Sequence, residues 1–319
     1  MALEKLAKRG GNMVFGVPRE THHDEHRVGL TPFLVKRLTE QGAAVLVERD
    51  AGQSARFVDK DYERSGAQIV YSAEEVYRRS DVVCRIGALT DEEISFLEPG
   101  RTVCAFHHLA VASRERAERL MELRTTLVGY EIIRDQNGNL PVLFPMSEMA
   151  GQLAIHLAAH YLQNECGGRG ILLGHMPGVP PPTVLVLGAG TAGTVAARQA
   201  QKNGCHVIVI DADLERLRRL DREVGAGVVT VVAGTDRLEK FTALADVLIG
   251  AVLIPGERAP FLVTEAMVES MKSGSVIIDL SIDQGGCVAT SRPTSLRDPV
   301  FLRSGVLHYC VPNMTANIA

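Results

Sequence analysis

Four residues carry the clearest chemistry in this 319-residue sequence: Gly188, Gly190, Gly193 and Asp211. The glycines lie in VLVLGAGTAGTVAARQAQKNG (184–204) and fit G-x-G-x-x-G. The first glycine permits a tight turn, the second lets backbone approach a pyrophosphate, and the third lets a helix sit close to its strand. The amino-terminal N–H groups of that helix would face the phosphates. A second strand-like run, HVIVID, ends in Asp211, 23 residues past Gly188. That is near the ~20-residue spacing of a carboxylate that binds a ribose 2′-hydroxyl, and its charge would repel a 2′-phosphate. NAD is therefore expected over NADP. A second unusual stretch is SVIIDLSIDQGGC (275–287), where Asp279 and Asp283 interrupt an apolar run just before a glycine pair. A carboxylate is costly to bury unless it is hydrogen-bonded or charge-paired, so Asp283 either caps a turn or serves a site. In FHHLA (106–110), His108 closes another strand-like run. Imidazole suits proton exchange near neutral pH, although a lone strand-end histidine is more often structural.

These residues need a scaffold, and the sequence outlines one. Short β-branched runs at 13–17, 43–48, 67–70, 81–86, 102–106 and 125–130 alternate with helix-period segments such as FLVKRLTEQ, SAEEVYRRS and SRERAERLMELR. Alternating strands and helices predict an α/β fold with parallel sheets. A longer helix is expected over 146–163, then the Gly/Pro-dense loop GGRGILLGHMPGVPPP, then a second strand–helix series from 183.

Composition narrows the function. Hydrophobic residues make up 46% and the formal net charge is −4, so neither nucleic acid nor an anionic membrane surface is expected as a partner. No apolar run approaches the ~18 residues of a membrane span. The first twelve residues carry charge but no apolar signal-peptide core, which points to a cytoplasmic protein. Residues 1–12 read as an extension. The six scattered cysteines read as buried free thiols in a reducing compartment, with no disulfide frame or zinc site; no metal is expected.

Nine stretches together resemble the alanine dehydrogenase family, which is related to the NAD(H)-binding subunit of proton-translocating transhydrogenase. They are GVPRET…EHRVGLTP (16–32), FHHLA (106–110), FPMSEMAG (144–151), GGRGILLG…PGVPP (167–181), LGAGTAG (187–193), IGAVLIPG (249–256), SIDQGGC (281–287), SRPT (291–294) and HYCVPNM (308–314). The resemblance implies two Rossmann-like domains with a cleft between them: a substrate domain at 13–142 and an NAD-binding domain at 143–319. In the family a C-terminal tail helps to complete the first domain; the tail is not present in this sequence, so either it is missing or the first domain is reduced. The implied reaction is NAD-dependent oxidative deamination of a small L-amino acid, most simply alanine to pyruvate and ammonia, by a cytoplasmic homo-oligomer, a hexamer.

Residue by residue, the resemblance makes His108 the general acid/base and places Asp283 beside the nicotinamide and substrate. Arg27 would hold the substrate carboxylate, a task that suits a guanidinium fork. Around NAD it implies Ser147, Gly188, Gly190, Thr191, Ala192 and Gly193, then Asp211 and Arg216. From later loops it adds Val252 and Leu253, Leu280, Ser281, Ile282 and Asp283, then Arg292, Val311, Pro312, Asn313 and Met314. A position near the adenosine that is often serine reads Ala233. The family also reads K-V-K-E-P after its fourth strand, and the second lysine contacts substrate. Here the stretch is Arg85-Ile86-Gly87-Ala88-Leu89, so the lysine's place is taken by Gly87. Residues i and i+2 of a strand share a face, so Arg85 is a candidate replacement cation; a surface or helix-facing Arg85 is the alternative. A transhydrogenase-like subunit and a catalytically silent NAD-binding protein remain open readings.

Overall fold

The computed structural model describes residues 13–318; the extension expected at 1–12 lies outside the described residues. Two compact units emerge, residues 13–134 together with 316–318, and Asp135–Thr315.

The first unit is a parallel sheet of six strands: β1 (Val14–Val17), β2 (Ala44–Glu48), β3 (Gln68–Val70), β4 (Val82–Cys84), β5 (Thr102–Ala105) and β6 (Thr126–Gly129). Their order is β3-β2-β1-β4-β5-β6. Val45 and Val47 of β2 enter one core cluster while Leu46 enters another, as expected of a strand covered on both faces. That two-sided burial explains why these strands read as continuous apolar runs. The connecting helices are α1 (Pro32–Glu40), α2 (Asp59–Arg64), α3 (Ala73–Arg79), α4 (Asp91–Ser95) and α5 (Arg114–Glu122). Their starts follow local chemistry. Proline opens α1, Ser72 accepts the Glu75 N–H at the head of α3, and Thr90 with Glu93 forms a capping box on α4. Helix α3 also places Glu74 and Glu75 in its first turn and Arg78 and Arg79 in its last, which complements the helix dipole.

The second unit opens with α6 (Leu143–Tyr161) and continues as β7 (Thr183–Leu187), α7 (Thr191–Lys202), β8 (His206–Asp211), α8 (Leu214–Val224), β9 (Val228–Val232), α9 (Thr235–Leu244), β10 (Val247–Gly250), α10 (Glu265–Glu269), β11 (Val276–Asp279), β12 (Val300–Arg303) and β13 (Val306–Tyr309). The sheet order is β12-β13-β11-β10-β7-β8-β9, parallel except for edge strand β12. Strand β12 runs antiparallel because Ser304 and Gly305, with φ of 51° and 75°, form a two-residue hairpin turn. Along β7, Val184 and Val186 face one cluster while Leu185 and Leu187 face the other. Helix α6 packs Ala154, Ile155 and Ala158 into the first of these. Among the described residues, no helix is long and apolar enough to cross a membrane.

Candidate active site

Both sheets reverse their winding at one point, between β1 and β4 in the first unit and between β7 and β10 in the second. In open parallel sheets, ligands bind outside the carboxyl ends of strands at such a switch point. The residues singled out by sequence cluster by this rule, each group within its own unit. Arg27 lies after β1, Arg85 after β4 and His108 after β5. In the second unit the glycine loop lies after β7, Asp211 ends β8, Val252 and Leu253 follow β10, Leu280–Asp283 follow β11, and Val311–Met314 follow β13.

The glycine loop is shaped for a phosphate. Gly188 sits at φ 103°, and a Cβ there would meet the Ala251 carbonyl oxygen at 2.5 Å. A Cβ on Gly193 would come within 1.8 Å of the Gly188 oxygen, whereas one on Gly190 would meet nothing within 4 Å. The space above Gly190 is therefore open while the other two glycines are forced by close packing. Gly190 caps α7 with no side-chain hydrogen bond, leaving the first-turn amides of Thr191, Ala192 and Gly193 without a side-chain cap at the positive end of the helix dipole. Asp211, 9% exposed, accepts the Ala189 N–H at 2.6 Å and the Asp213 N–H at 2.8 Å. Its carboxylate thus ties the end of β8 to the glycine turn. These features fit a dinucleotide.

The two aspartates after the β11 run separate into different tasks. Asp279 is almost fully buried, and its carboxylate accepts the N–H groups of Ser281, Cys287 and Val288 at 3.1, 3.1 and 3.3 Å. Burial pushes its carboxyl above the usual range, and the Cys287 and Val288 amides are among the hydrogen bonds that work against that. Asp279 therefore holds the Leu280–Gln284 turn, on which half-buried Asp283 sits. Asp283 Oδ1 accepts the Asn313 N–H at 2.7 Å, and Ser281 Oγ accepts the Val252 N–H at 3.0 Å, so the loops after β10, β11 and β13 are pinned together. Met314 and Val311 are buried, Leu280 lines the same core, and Pro312 is exposed. Arg292 lies over the Phe301 ring at 4.3 Å. Arg216 pairs with Asp213 at 3.6 Å on the solvent side of α8, and Ser147 is half-buried on α6. Ala233 follows β9 and accepts no side-chain hydrogen bond, as expected of alanine.

In the first unit, His108 occupies a left-handed conformation (φ 46°, ψ 44°) and stacks beside Phe106. Its Nδ1 is buried with no hydrogen-bond partner among the described residues. The adjacent His107 points elsewhere, with Nε2 3.1 Å from the Val103 oxygen, and burial lowers its imidazole below the ordinary value. Arg27 engages Glu25 through both ends of its fork, at 2.8 and 2.7 Å.

Arg85 is only 2% exposed. Its guanidinium binds Glu20 at 3.1 Å, the Tyr77 hydroxyl at 2.9 Å, and Glu93. Burial opposes its charge, but Tyr77, Glu20 and Glu93 together outweigh that and hold its pKa above even the usual guanidinium value. Burial likewise raises the Glu20 carboxyl, against the pull of Arg85 and of the Ile86 and Gly87 amides. A Cβ on Gly87 would lie 3.3 Å from Glu20 Oε2 and 3.6 Å from Arg85 Nη2. The tight neighbour of a side chain at 87 is thus Glu20 rather than Arg85, and the Arg85 guanidinium already pairs with two carboxylates and a phenol.

The sequence model of the alanine dehydrogenase/PNT N-terminal domain matches residues 16–150, and that of the C-terminal domain matches residues 154–319. The chain belongs to the alanine dehydrogenase/PNT family. It is 41% identical to the alanine dehydrogenase of Mycolicibacterium smegmatis over 302 residues, covering 95% of this chain and 81% of that one. Identity to the Mycobacterium tuberculosis alanine dehydrogenase is 42% over 306 residues, or 96% of this chain and 82% of the relative. Among solved structures, an L-alanine dehydrogenase matches with a TM-score of 0.86 and 42% identity, covering 96% of this chain and 84% of the other. A transhydrogenase from Sinorhizobium meliloti matches at 0.79 and 27%, with 96% and 88% covered.

Within this family frame, three side chains had no distinguishing sequence signal: Tyr77 and Glu93 around Arg85 and Glu131, which accepts the His107 and His108 amides; Glu20 lies in the GVPRET stretch but its pairing with Arg85 does not show there. Their type and spacing are ordinary, and only sheet topology brings them in. Cys84 and Cys104 differ from the sequence reading of scattered thiols, because the β4–β5 register sets them directly opposite each other. All six cysteines are free thiols. Burial raises the Cys205 thiol to about 11 and the Cys310 thiol to about 12, which makes both poor nucleophiles.

Proposed function

We propose that this alanine dehydrogenase/PNT family member is an NAD-dependent amino acid dehydrogenase that deaminates L-alanine to pyruvate and ammonia. The observation that carries the reading is 41–42% identity to alanine dehydrogenases across 95–96% of the chain. The glycine loop, the uncapped head of α7 and Asp211 would hold NAD, with the loops around Val252, Ser281 and Asn313 shaping the rest of its site. When bound, NAD supplies the hydride acceptor. Arg27 holds the substrate carboxylate once its fork is shared with Glu25. With the amino group neutral, loss of hydride from the substrate Cα would leave an iminium; water adds to it, and as ammonia departs the remaining hydroxyl proton passes back to the His108 imidazole, giving the ketone. His108, whose buried Nδ1 lacks a partner among the described residues, takes the proton from the adding water and returns it to the leaving nitrogen. Asp283, fixed to the Asn313 amide, steadies the positive charge of the iminium. A hexameric assembly and a cytoplasmic location follow from the resemblance, and sedimentation velocity on the purified chain tests the first.

The test is direct. Purified protein, NAD and a panel of L-amino acids are mixed and NADH absorbance is followed. Turnover with alanine is the expected outcome. Gly87, where the family carries a substrate-binding lysine, favours a second reading, a transhydrogenase-like subunit. Hydride exchange between nucleotides only when a membrane partner is added would establish that one instead. NAD binding without either activity would make the chain a silent binding protein.

A further inference from the structure

Glu131 lies two residues beyond β6 and is 8% exposed. Its Oε1 accepts two backbone amides, His107 N–H at 3.1 Å and His108 N–H at 2.8 Å. Its Oε2 is buried with no hydrogen-bond partner among the described residues. Consecutive N–H groups converging on one oxygen form an anion-binding concavity of the kind that often receives a phosphate. Here the anion is the chain's own carboxylate, supplied by the neighbouring strand. Burying it costs free energy that its hydrogen bonds must offset.

The two amides belong to the turn where His108 adopts a left-handed backbone conformation, rare for a residue with a ring side chain. Such a conformation persists only where the surroundings hold it. Three contacts do so. Glu131 grips both amides, Phe106 stacks on the imidazole with 6.1 Å between ring centroids, and Tyr130 meets Phe106 edge-on at 5.4 Å. The Tyr130 N–H also binds the Ala105 oxygen at 2.9 Å, so the β6 end and the β5 end are registered one residue before the clamp. Glu131 holds the backbone from which the imidazole projects and needs no contact with substrate to act.

We propose that Glu131 is the positioning residue of the dehydrogenase, fixing the backbone twist that aims His108. The proposal rests on the assignment of His108 as acid/base given above. The experiment uses the full chain in five forms: wild type, Glu131→Gln, Glu131→Ala, His108→Ala and the Glu131→Ala/His108→Ala double variant. It measures kcat, KM for alanine, the NADH dissociation constant and Tm. Misplacing a catalytic group by about 1 Å costs on the order of 10²-fold, so Glu131→Ala is expected to lower kcat about that much. NADH affinity and KM should stay close to wild type. Glu131→Gln keeps an acceptor oxygen for the two amides and should recover most of the rate. The double variant should be no slower than His108→Ala, because residues that act as one unit are not additive.

Two results would overturn the proposal while leaving the His108 assignment standing. One is a Glu131→Ala variant with wild-type kcat and a lower Tm. The other is a double variant whose losses multiply. If His108→Ala itself turns over at the wild-type rate, the assignment of His108 fails and the proposal with it. Should Glu131→Ala not accumulate as folded protein, Glu131→Asp carries the same test, since a shorter arm draws the oxygen away from the amides. It should lower kcat with NADH affinity unchanged, and an unchanged kcat overturns the proposal.

Discussion

Replacing Arg85 with methionine separates two accounts of this residue. Arg85 and Glu93 are each 2% exposed at the side chain and Glu20 is 4% exposed. Two carboxylates therefore depend on one guanidinium in a region sealed from water. Methionine fills a similar volume but leaves both carboxylates without their cation, and breaking a buried ion pair in this way costs ~3–5 kcal/mol. For a unit of this size that corresponds to a fall in Tm of roughly 10–20 °C. Calorimetry reads the fall directly, and NADH titration reports whether the second unit is still folded. A triple variant, Arg85→Met with Glu20→Gln and Glu93→Gln, removes the stranded charges and should regain most of the loss, since replacing a whole buried ion cluster is often nearly neutral. The reasoning is refuted if Arg85→Met shifts Tm by less than about 2 °C, under ~1 kcal/mol, while KM for alanine rises sharply. Arg85 would then be the substrate cation after all.

Three further outcomes are expected. Asp211→Ala removes the charge that disfavours a 2′-phosphate and should narrow the NAD-over-NADP preference; equal calorimetric affinity of the wild type for both would refute this role. Gly193→Ala puts a Cβ 1.8 Å from the Gly188 oxygen, so NADH affinity should fall at least ~10-fold by titration, equivalent to about 1.4 kcal/mol. Burial lowers the imidazole pKa of both His107 and His308. Below the ordinary value of about 6.5 the unfolded chain therefore binds more protons than the folded one, and stability present at neutral pH is lost as pH falls from there through the folded values. Glu20, Glu48 and Asp279, whose carboxyls are raised by burial, act in the opposite sense nearer their own ordinary range. Urea unfolding of wild type and His308→Gln across this window should show a shallower acid loss in the variant.

The strands of the first unit were legible because burial on both faces leaves unbroken β-branched runs between Gly, Asp and Ser punctuation. The runs at 13–17, 43–48, 67–70 and 102–106 contain β1, β2, β3 and β5. The glycine loop was legible too, since its function imposes residue type at fixed spacing. What was hidden depends on separation along the chain. Glu20 stands 65 residues before Arg85 and Glu131 stands 23 after His108, and carboxylates of that kind are ordinary surface residues until a parallel sheet brings strand ends together. Asp279 illustrates the converse. Its sequence position marked it as unusual beside Asp283, but only the three amides around it show that it is the scaffold of the pair.

The packing around Gly87 also bears on how this sequence can change. Residues 20, 85 and 87 behave as one heritable unit, because a side chain at 87 starts against Glu20 Oε2 and Arg85 Nη2. A lysine introduced at 87 while arginine occupies 85 starts tight against Glu20 Oε2, which must yield slightly, and in ordinary contact with Arg85 Nη2. Introduced after residue 85 has been shortened, the same lysine finds the Glu20 carboxylate waiting for a cation. The effect of Gly87→Lys thus depends on whether residue 85 still supplies the cation that Glu20 pairs with. Any route that removes the arginine at 85 leaves Glu93 without its cation, so Glu93 must be neutralised whichever position changes first.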